Sequence, residues 1–143
     1  MSENQSHRRL RVLLADDHPT NRAVVEVILS LIDVDLVAVE DGALALAAFK
    51  VDDFDVVLMD LQMPVMDGLT ATRTIREIER VESRGRTPLI VLSANVAPTD
   101  RAATADAGAD AHIGKPIRAD ELFTTIGGVM DGEEHADGET WAA

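Results

Sequence analysis

The sequence of 143 residues contains no cysteine and no tyrosine, and aromatic side chains make up only 3% of it. Without cysteine the chain can form neither a disulfide framework nor a thiolate zinc site. The scarcity of aromatic rings argues against a stacking platform for single-stranded nucleic acid. No run of about 18 apolar residues occurs, and no apolar segment of signal-peptide character follows the charged N-terminus. We therefore expect a cytoplasmic protein.

Positive charge is also scarce. The formal net charge is −13, and of the 13 basic residues only Lys50 and Lys115 are lysine. Such an acidic chain repels a nucleic-acid backbone and an anionic membrane surface. Neither nucleic acid nor membrane is therefore an expected partner.

Short apolar runs alternate along the chain with segments of helical period. The runs predict strands at residues 11–15, 36–39, 55–59, 89–93 and 111–113, and the other segments predict helices at 19–32, 43–51, 69–81, 98–107 and 119–130. Several strands lack polar alternation, as expected for parallel strands covered on both faces. The pattern predicts one α/β domain over residues 11–130, a flexible segment at 1–10 and an acidic, disordered tail at 131–143.

Polar residues recur where the predicted strands end. Asp16 and Asp17 follow the first strand, Asp60 the third and Lys115 the fifth, while Ser93 ends the fourth. The carboxyl ends of parallel strands meet at one edge of a sheet, so these side chains converge on one crevice. Taken singly, the first two acids could cap a helix, and Asp60 or Lys115 could belong to an ordinary loop. Their coincidence at four strand ends favours a shared site.

Three neighbouring carboxylates require a cation, because like charges a few ångströms apart are otherwise unfavourable. Mg²⁺ meets this need with carboxylate, water and phosphoryl oxygens, and Mn²⁺ is the alternative ion. The Lys115 ammonium and the Ser93 hydroxyl suit phosphate oxygens. The Asp60 carboxylate, already ionised at neutral pH, can act as the nucleophile and form an acyl phosphate.

Four stretches, "LLADDHPTNR", "VVLMDLQMPVMDG", "LIVLSAN" and "GADAHIGKPI", resemble in order and spacing the signature regions of response-regulator receiver domains. The resemblance covers residues 11–130. It implies a flavodoxin-like, doubly wound (βα)5 fold with a five-stranded parallel sheet of order 2-1-3-4-5. It also implies a two-component phosphorelay function in which Asp60 accepts a phosphoryl group from the phosphohistidine of a sensor kinase or phosphotransfer protein.

The resemblance assigns further roles by matching position. It implies that Asp17 ligates Mg²⁺ directly and Asp16 through water, with Asp60 and the backbone carbonyl of Gln62 completing the protein ligands. Ser93 takes the position of the switch hydroxyl and Lys115 that of the phosphate-binding lysine. The domain then catalyses its own phosphorylation and slow dephosphorylation and is not a metabolic enzyme.

One position departs from the family pattern. The switch residue three before Lys115, often tyrosine or phenylalanine in this family, is His112. Its rotation with Ser93 would form a bistable element. The alternative is that His112 only caps the edge strand and that output runs through backbone shifts. The resemblance implies that the face for a downstream protein or a second protomer comprises the last helix and Ala97, Pro98, Ala102, Ala103, His112 and Ile113. The chain is expected to be a monomer or weak dimer.

The helix after Asp17 carries two apolar stripes. One is broad enough for the core and comprises Val24, Val25, Ile28, Leu29 and Ile32. The second, Ala23, Val27 and Leu31, is surplus to it and suggests a docking site for a histidine-phosphotransfer or kinase dimerisation domain. The alternative is that this second stripe contacts another part of the same domain.

Three other functions remain open from the sequence. A haloacid-dehalogenase-type aspartyl-phosphate phosphohydrolase also uses a strand-end aspartate with Mg²⁺, but it requires an acid where Gln62 stands. A second alternative is an inactive receiver that serves only as a protein-binding module. All five site residues are chemically competent, which argues against it. The starting methionine and acidic tail favour a stand-alone regulator, against a receiver excised from a hybrid sensor kinase.

Overall fold

The computed structural model describes residues 9–94 and 98–131, with the backbone alone over 98–100. The strands are β1 (Leu10–Ala15), β2 (Val34–Val39), β3 (Val56–Asp60), β4 (Leu89–Ser93) and β5 (Ala111–Gly114). The helices are α1 (Pro19–Leu29), α2 (Gly42–Val51), α3 (Gly68–Val81), α4 (Pro98–Ala107) and α5 (Ala119–Met130). The predicted segments 1–10 and 131–143 lie mostly outside the described residues.

The five strands form one parallel sheet in the order β2-β1-β3-β4-β5. Every residue of β3 and β4 is buried, because helices cover both faces of the sheet centre. The predicted doubly wound α/β fold and its strand order are confirmed. This order places the carboxyl ends of β1, β3, β4 and β5 along one edge.

Alternate strand residues build two cores, one on each face of the sheet. On one face, residues such as Leu13 and Val57 pack against α2 and α3. On the other face, residues such as Val12 and Val56 pack against α1 and α5. No helix in the described part of the chain is long and apolar enough to cross a membrane.

Helix α1 is shorter than its apolar pattern predicts. It ends at Leu29. The backbone N–H groups of Leu31 and Ile32 then donate to the carbonyls three residues earlier, those of Ile28 and Leu29, both at 3.1 Å. Ile32 therefore lies beyond the helix and is 42% exposed, while Val24, at the flank of the buried stripe, is 39% exposed. The prediction of core positions was correct for Val25, Ile28 and Leu29 and wrong for these two residues.

The predicted bounds of β4, α4 and α5 are exact, and those of the other elements except α1 differ from the structure by one or two residues. Strand β1 begins at Leu10, which pairs with Val34, so β2 also begins earlier than its apolar run suggests. Asp41 and Asp67 cap α2 and α3, with side chains that accept hydrogen bonds from Leu44 and Thr70 at 2.8 Å. These caps fix the loops that follow β2 and β3.

Candidate functional site

Asp16 and Asp17 lie at the tip of β1. The backbone N–H of Asp16 donates to Val39 at 3.0 Å, which continues the ladder between β1 and β2 by one residue. Arg22 of α1 donates to the backbone carbonyl of Asp16 at 2.7 Å. The Asp16 side chain is 1% exposed and that of Asp17 is 27% exposed. The strand end and the first turn of α1 therefore hold Asp16 in a buried position.

Asp60 is the last residue of β3 and is 4% exposed. The loop behind it folds back so closely that a Cβ atom at Gly68 would lie 2.1 Å from the backbone oxygen of Asp60. Gly68 donates its N–H to Leu61 at 2.9 Å, and the exposed Val65 adopts a left-handed φ of 69° within the same loop. Only glycine permits this close approach behind the acid.

Lys115 connects the acids of two strands. Its Nζ atom lies 3.0 Å from Asp60 Oδ1 and 3.2 Å from Asp16 Oδ2. Its backbone N–H donates to Ser93 at 2.9 Å, so the residue is anchored to the end of β4. The peptide bond between Lys115 and Pro116 is cis. The ammonium is thus positioned by backbone contacts as well as by charge.

The charges of the site shift two pKa values. Burial raises the pKa of the Asp60 carboxyl above its ordinary value of 3.8, and the charge of Asp16 adds to this shift, while the hydrogen bond from Lys115 opposes it. Burial also opposes protonation of Lys115, but the hydrogen bond and charge of Asp60 together with Asp16 outweigh it and raise the lysine pKa above 10.5. One ammonium therefore faces several carboxylates, so the site keeps an excess of negative charge that a further cation could neutralise.

Four potential metal ligands cluster at this edge. One ligand atom from each of Asp16, Asp17, His18 and Asp60 lies within 4.8 Å of the others. Asp17 Oδ1 is buried without a hydrogen-bond partner, and Asp16 Oδ2 has the Lys115 ammonium as its only close partner among the described residues. Carboxylate oxygens that lack hydrogen-bond donors are suitable ligands for a hard divalent cation. The residues present therefore fit a metal site.

The structure places the remaining predicted residues as follows. Ser93 ends β4, is 5% exposed and neighbours Gly114 of β5. Gln62 is exposed two residues beyond Asp60, and His112 lies partly buried in the middle of β5, opposite Val91. Ile113 is fully buried, so the expectation that it forms part of an output surface was wrong. Its side chain points into the core because successive strand residues face opposite sides of the sheet. Of the other expected members of that surface, Ala102 is exposed and Ala103 partly exposed, while Ala97 and the Pro98 side chain lie outside the described residues.

The second stripe of α1 is exposed as predicted. Val27 is 67% and Leu31 is 70% exposed, and Ala23 is exposed beside them. The alternative, that this stripe contacts another part of the same domain, is not seen among the described residues. The stripe begins about one turn after the start of α1 at Pro19 and so lies close to the acidic cluster.

Sequence reasoning missed two residues, one at this edge and one at the opposite end of the sheet. His18 joins the acidic cluster, and its place directly after Asp17 is the signal that could have identified it. Arg76 of α3 was also missed: it donates to the Gly108 carbonyl, Asp110 and Glu79 at distances of 2.9–3.0 Å. Arg76 ties α3 to the turn before β5, and no local pattern indicates contacts so distant in sequence.

Comparison with known proteins extends these observations. The family model described as "Response regulator receiver domain" matches residues 12–127. The sensor protein GacS of Pseudomonas syringae pv. syringae is 38% identical over 121 residues, which are 85% of this chain and 13% of GacS. The regulatory protein RpfC of Xanthomonas campestris pv. campestris is 37% identical over 119 residues, or 83% of this chain and 16% of RpfC. The chain thus spans only a small part of these relatives.

Solved structures agree with these matches. The receiver domain of the sensor histidine kinase PA1611 from Pseudomonas aeruginosa, with magnesium coordinated in its active-site cleft, superposes with a TM-score of 0.78 at 32% identity, covering 87% of this chain and 99% of that one. Chemotaxis protein CheY4 of Vibrio cholerae gives a TM-score of 0.77 at 27% identity, covering 84% and 98%. With the fold, the acidic cluster and these likenesses in agreement, the chain belongs to the response regulator receiver domain family of two-component signalling.

Proposed function

We propose that Asp60 accepts a phosphoryl group from a phosphohistidine, on a sensor kinase or a histidine-phosphotransfer protein in the cytoplasm, and that the product switches a protein-binding surface. The observation that carries the proposal is the contact of Lys115 Nζ with Asp60 at 3.0 Å and with Asp16 at 3.2 Å. A partly buried ammonium beside a strand-end acid is suited to hold a phosphate oxygen near that acid. The likeness to GacS and RpfC supports the same reaction.

The transfer step follows from the ionised state of Asp60. One carboxylate oxygen of Asp60 attacks phosphorus, and the bond between phosphorus and the imidazole nitrogen of the donor breaks. The electron pair of that bond stays on the imidazole, which leaves as a neutral ring after taking up a proton. Lys115 and the Ser93 hydroxyl neutralise and orient the phosphoryl oxygens, which is the main contribution a protein makes to phosphoryl transfer.

Asp16, Asp17, Asp60 and the backbone carbonyl of Gln62 are the residues that would hold Mg²⁺. When bound, the ion supplies positive charge for the phosphoryl oxygens that the single ammonium of Lys115 cannot supply alone. The buried, unpartnered oxygen of Asp17 supports this assignment. The magnesium in the PA1611 receiver domain also supports it.

The exposed stripe of α1, formed by Ala23, Val27 and Leu31, is the proposed docking surface for the phosphodonor. Val27 lies in α1 and Leu31 in the turn that follows it, and each side chain is about two thirds exposed. Together they form an exposed apolar patch, which is a feature of docking surfaces. The stripe runs away from the acidic cluster along α1, so a helical donor bound there would bring its phosphohistidine near Asp60. We assign the surface to a four-helix phosphotransfer or kinase dimerisation domain.

Output is proposed to run through Ser93 and His112. A phosphoryl group adds nearly two negative charges and three acceptor oxygens, which draw the Ser93 hydroxyl toward Asp60. Ser93 ends β4, and β4 pairs with β5 over Val91 and His112. A shift of Ser93 is therefore transmitted to the neighbouring strand, where the partly exposed His112 ring can change its rotamer and alter the surface that a downstream protein contacts.

Intact-mass spectrometry with acetyl phosphate and Mg²⁺ tests the acceptor. We expect a gain of one phosphate that hydroxylamine removes, because an acyl phosphate is cleaved by that nucleophile, and no gain in Asp60→Asn. Asp53→Asn is the matched control, since Asp53 has a side chain 99% exposed and precedes β3 at the opposite end of the sheet. Equal phosphorylation of Asp60→Asn would overturn the proposal.

A further inference from the structure

His18 occupies the N-cap position of α1 without performing that function. Its backbone is extended, with φ −95° and ψ 120°, and its side chain makes no capping hydrogen bond to the helix. Its backbone N–H donates instead to Asp16 Oδ1 at 2.9 Å. N-cap side chains ordinarily accept a hydrogen bond from the first turn of the helix. The imidazole is therefore directed away from the helix and toward the carboxylates.

The distances around the ring suit a shared metal ion. His18 Nδ1 lies 3.0 Å from Asp17 Oδ1 and 3.8 Å from Asp16 Oδ1. Two neighbouring ligands of an octahedral ion with bonds of about 2.1 Å are separated by about 3.0 Å. The pair formed by His18 and Asp17 therefore already has the spacing of adjacent ligands.

The short distance between His18 and Asp17 is not a hydrogen bond. Asp17 Oδ1 is buried and lacks a hydrogen-bond partner although the ring nitrogen is 3.0 Å away. The His18 side chain is 67% exposed, so a small rotation toward a metal ion meets little steric resistance.

We propose that His18 Nδ1 is a direct metal ligand and makes this site prefer a borderline divalent ion, Mn²⁺ or Co²⁺, over Mg²⁺. The inference rests on the metal site of the proposed function and adds a nitrogen ligand to it. Mg²⁺ favours oxygen ligands throughout, whereas imidazole nitrogen suits the transition ions. A site with carboxylates alone would lack this source of discrimination.

Electron spin-echo spectroscopy of the Mn²⁺-loaded chain, without a polyhistidine tag, tests the ligand directly. We expect modulation from a coordinated ¹⁴N nucleus in the wild type and its loss in His18→Phe, which keeps a ring of similar size but removes both nitrogens. His18→Asn is a second variant that keeps a polar side chain at the helix start. Absence of ¹⁴N coupling in the wild type would overturn the proposal without reference to any variant.

Calorimetric titration with Mn²⁺, Co²⁺ and Mg²⁺ tests the preference. In both variants the affinity for Mn²⁺ and Co²⁺ should fall by at least about tenfold, the low end of the loss seen when even a supporting partner of a ligand is removed. The affinity for Mg²⁺ should change by less than about twofold because Mg²⁺ does not engage the ring. An equal change for all three ions would contradict the inference.

The acetyl phosphate assay separates this inference from the proposed function. If Asp60 is phosphorylated with Mg²⁺ in the wild type and His18 proves not to bind Mn²⁺, only the inference about His18 fails. If Asp60 is never phosphorylated while Mn²⁺ still shows ¹⁴N coupling, the phosphoacceptor role fails and the His18 ligand stands.

Discussion

Lys115 Nζ and Asp60 Oδ1 lie 3.0 Å apart although strand β4 separates β3 from β5 in the sheet. The lysine side chain crosses the end of the intervening strand to reach the acid. A contact of this kind requires both residues to project beyond the sheet edge. The pair is thus a direct product of the strand order.

Replacing Lys115 with methionine should slow phosphorylation of Asp60 by acetyl phosphate. Methionine keeps a similar length of chain but removes the charge that faces the phosphoryl oxygens. The rate should fall by about 100-fold, the loss observed when one preorganised donor is removed from a reaction centre. Single-turnover rates by quenched-flow mass spectrometry provide the measurement, with Lys50→Met as the control because Lys50 is exposed at the end of α2. A similar loss in both variants would show that the effect is not local.

Replacing Asp60 with asparagine should stabilise the chain in the presence of a chelator at neutral pH. The pKa of Asp60 is raised in the folded state, so the ionised carboxylate costs stability above that pKa, and the cost disappears as the pH falls through it. We expect a gain of about 1 kcal/mol, or about 3 °C in Tm. Thermal unfolding should show this difference in Tm between Asp60→Asn and the wild type at neutral pH. The difference should become smaller toward about pH 4, near the ordinary pKa of aspartate.

Two comparisons complete this stability experiment. Asp53→Asn should show no such gain, because its carboxylate is 99% exposed. Mg²⁺ should raise the Tm of the wild type more than that of Asp60→Asn, because the variant lacks one proposed ligand. A difference in Tm between Asp60→Asn and the wild type that stays constant at all pH values would refute the electrostatic explanation.

Replacing Val27 and Leu31 together with aspartate should slow transfer from a cognate phosphohistidine donor and leave acetyl phosphate unaffected. Charges on the exposed α1 stripe remove the apolar surface that a helical donor would bury. We expect at least about a tenfold loss, since each 1.4 kcal/mol of binding is a factor of ten. Radiolabelled transfer from the donor measures it. Val51→Asp is the control, an exposed valine at the end of α2 that is 78% accessible; equal slowing with both phosphodonors would remove the docking assignment.

Replacing Gly68 with alanine should destabilise the domain and displace Asp60. The added Cβ would lie 2.1 Å from the Asp60 backbone oxygen, so the loop or strand end must move. We expect a loss of about 1–3 kcal/mol, typical of an added atom in a packed interior. Gly127→Ala in α5 is the matched control, since its Cβ would meet no atom within 4 Å and alanine favours a helix. Chemical denaturation of the two variants should therefore give changes of opposite sign.

Much of this architecture could be predicted because parallel strands carry simple patterns. Continuous apolar runs predicted β3 and β4. The polar residues at the strand ends indicated that Asp16, Asp60 and Lys115 would lie close together. The caps formed by Asp41 and Asp67 are equally local interactions, since a capping residue acts on its immediate neighbours. In each case the relevant interaction is local or follows from strand order alone.

The remainder depends on contacts between distant segments. The end of α1 at Leu29 is set by turns that the apolar pattern hides, so Val24 and Ile32 could be mistaken for core residues. Arg76 reaches Thr87, Gly108 and Asp110, which no helical periodicity indicates. The burial of Ile113 follows from which face of β5 meets α5.

The Arg76 contacts have a mechanical consequence. They join α3 to Thr87 and Asp110, just before β4 and β5 begin, at the end of the sheet remote from Asp60. This fastens the N-terminal ends of both strands, while their opposite ends carry Ser93 and Lys115. Under the proposed function, a movement that begins at Asp60 would pivot about these fixed N-terminal strand ends, and the displacement would be largest near Ser93 and Lys115.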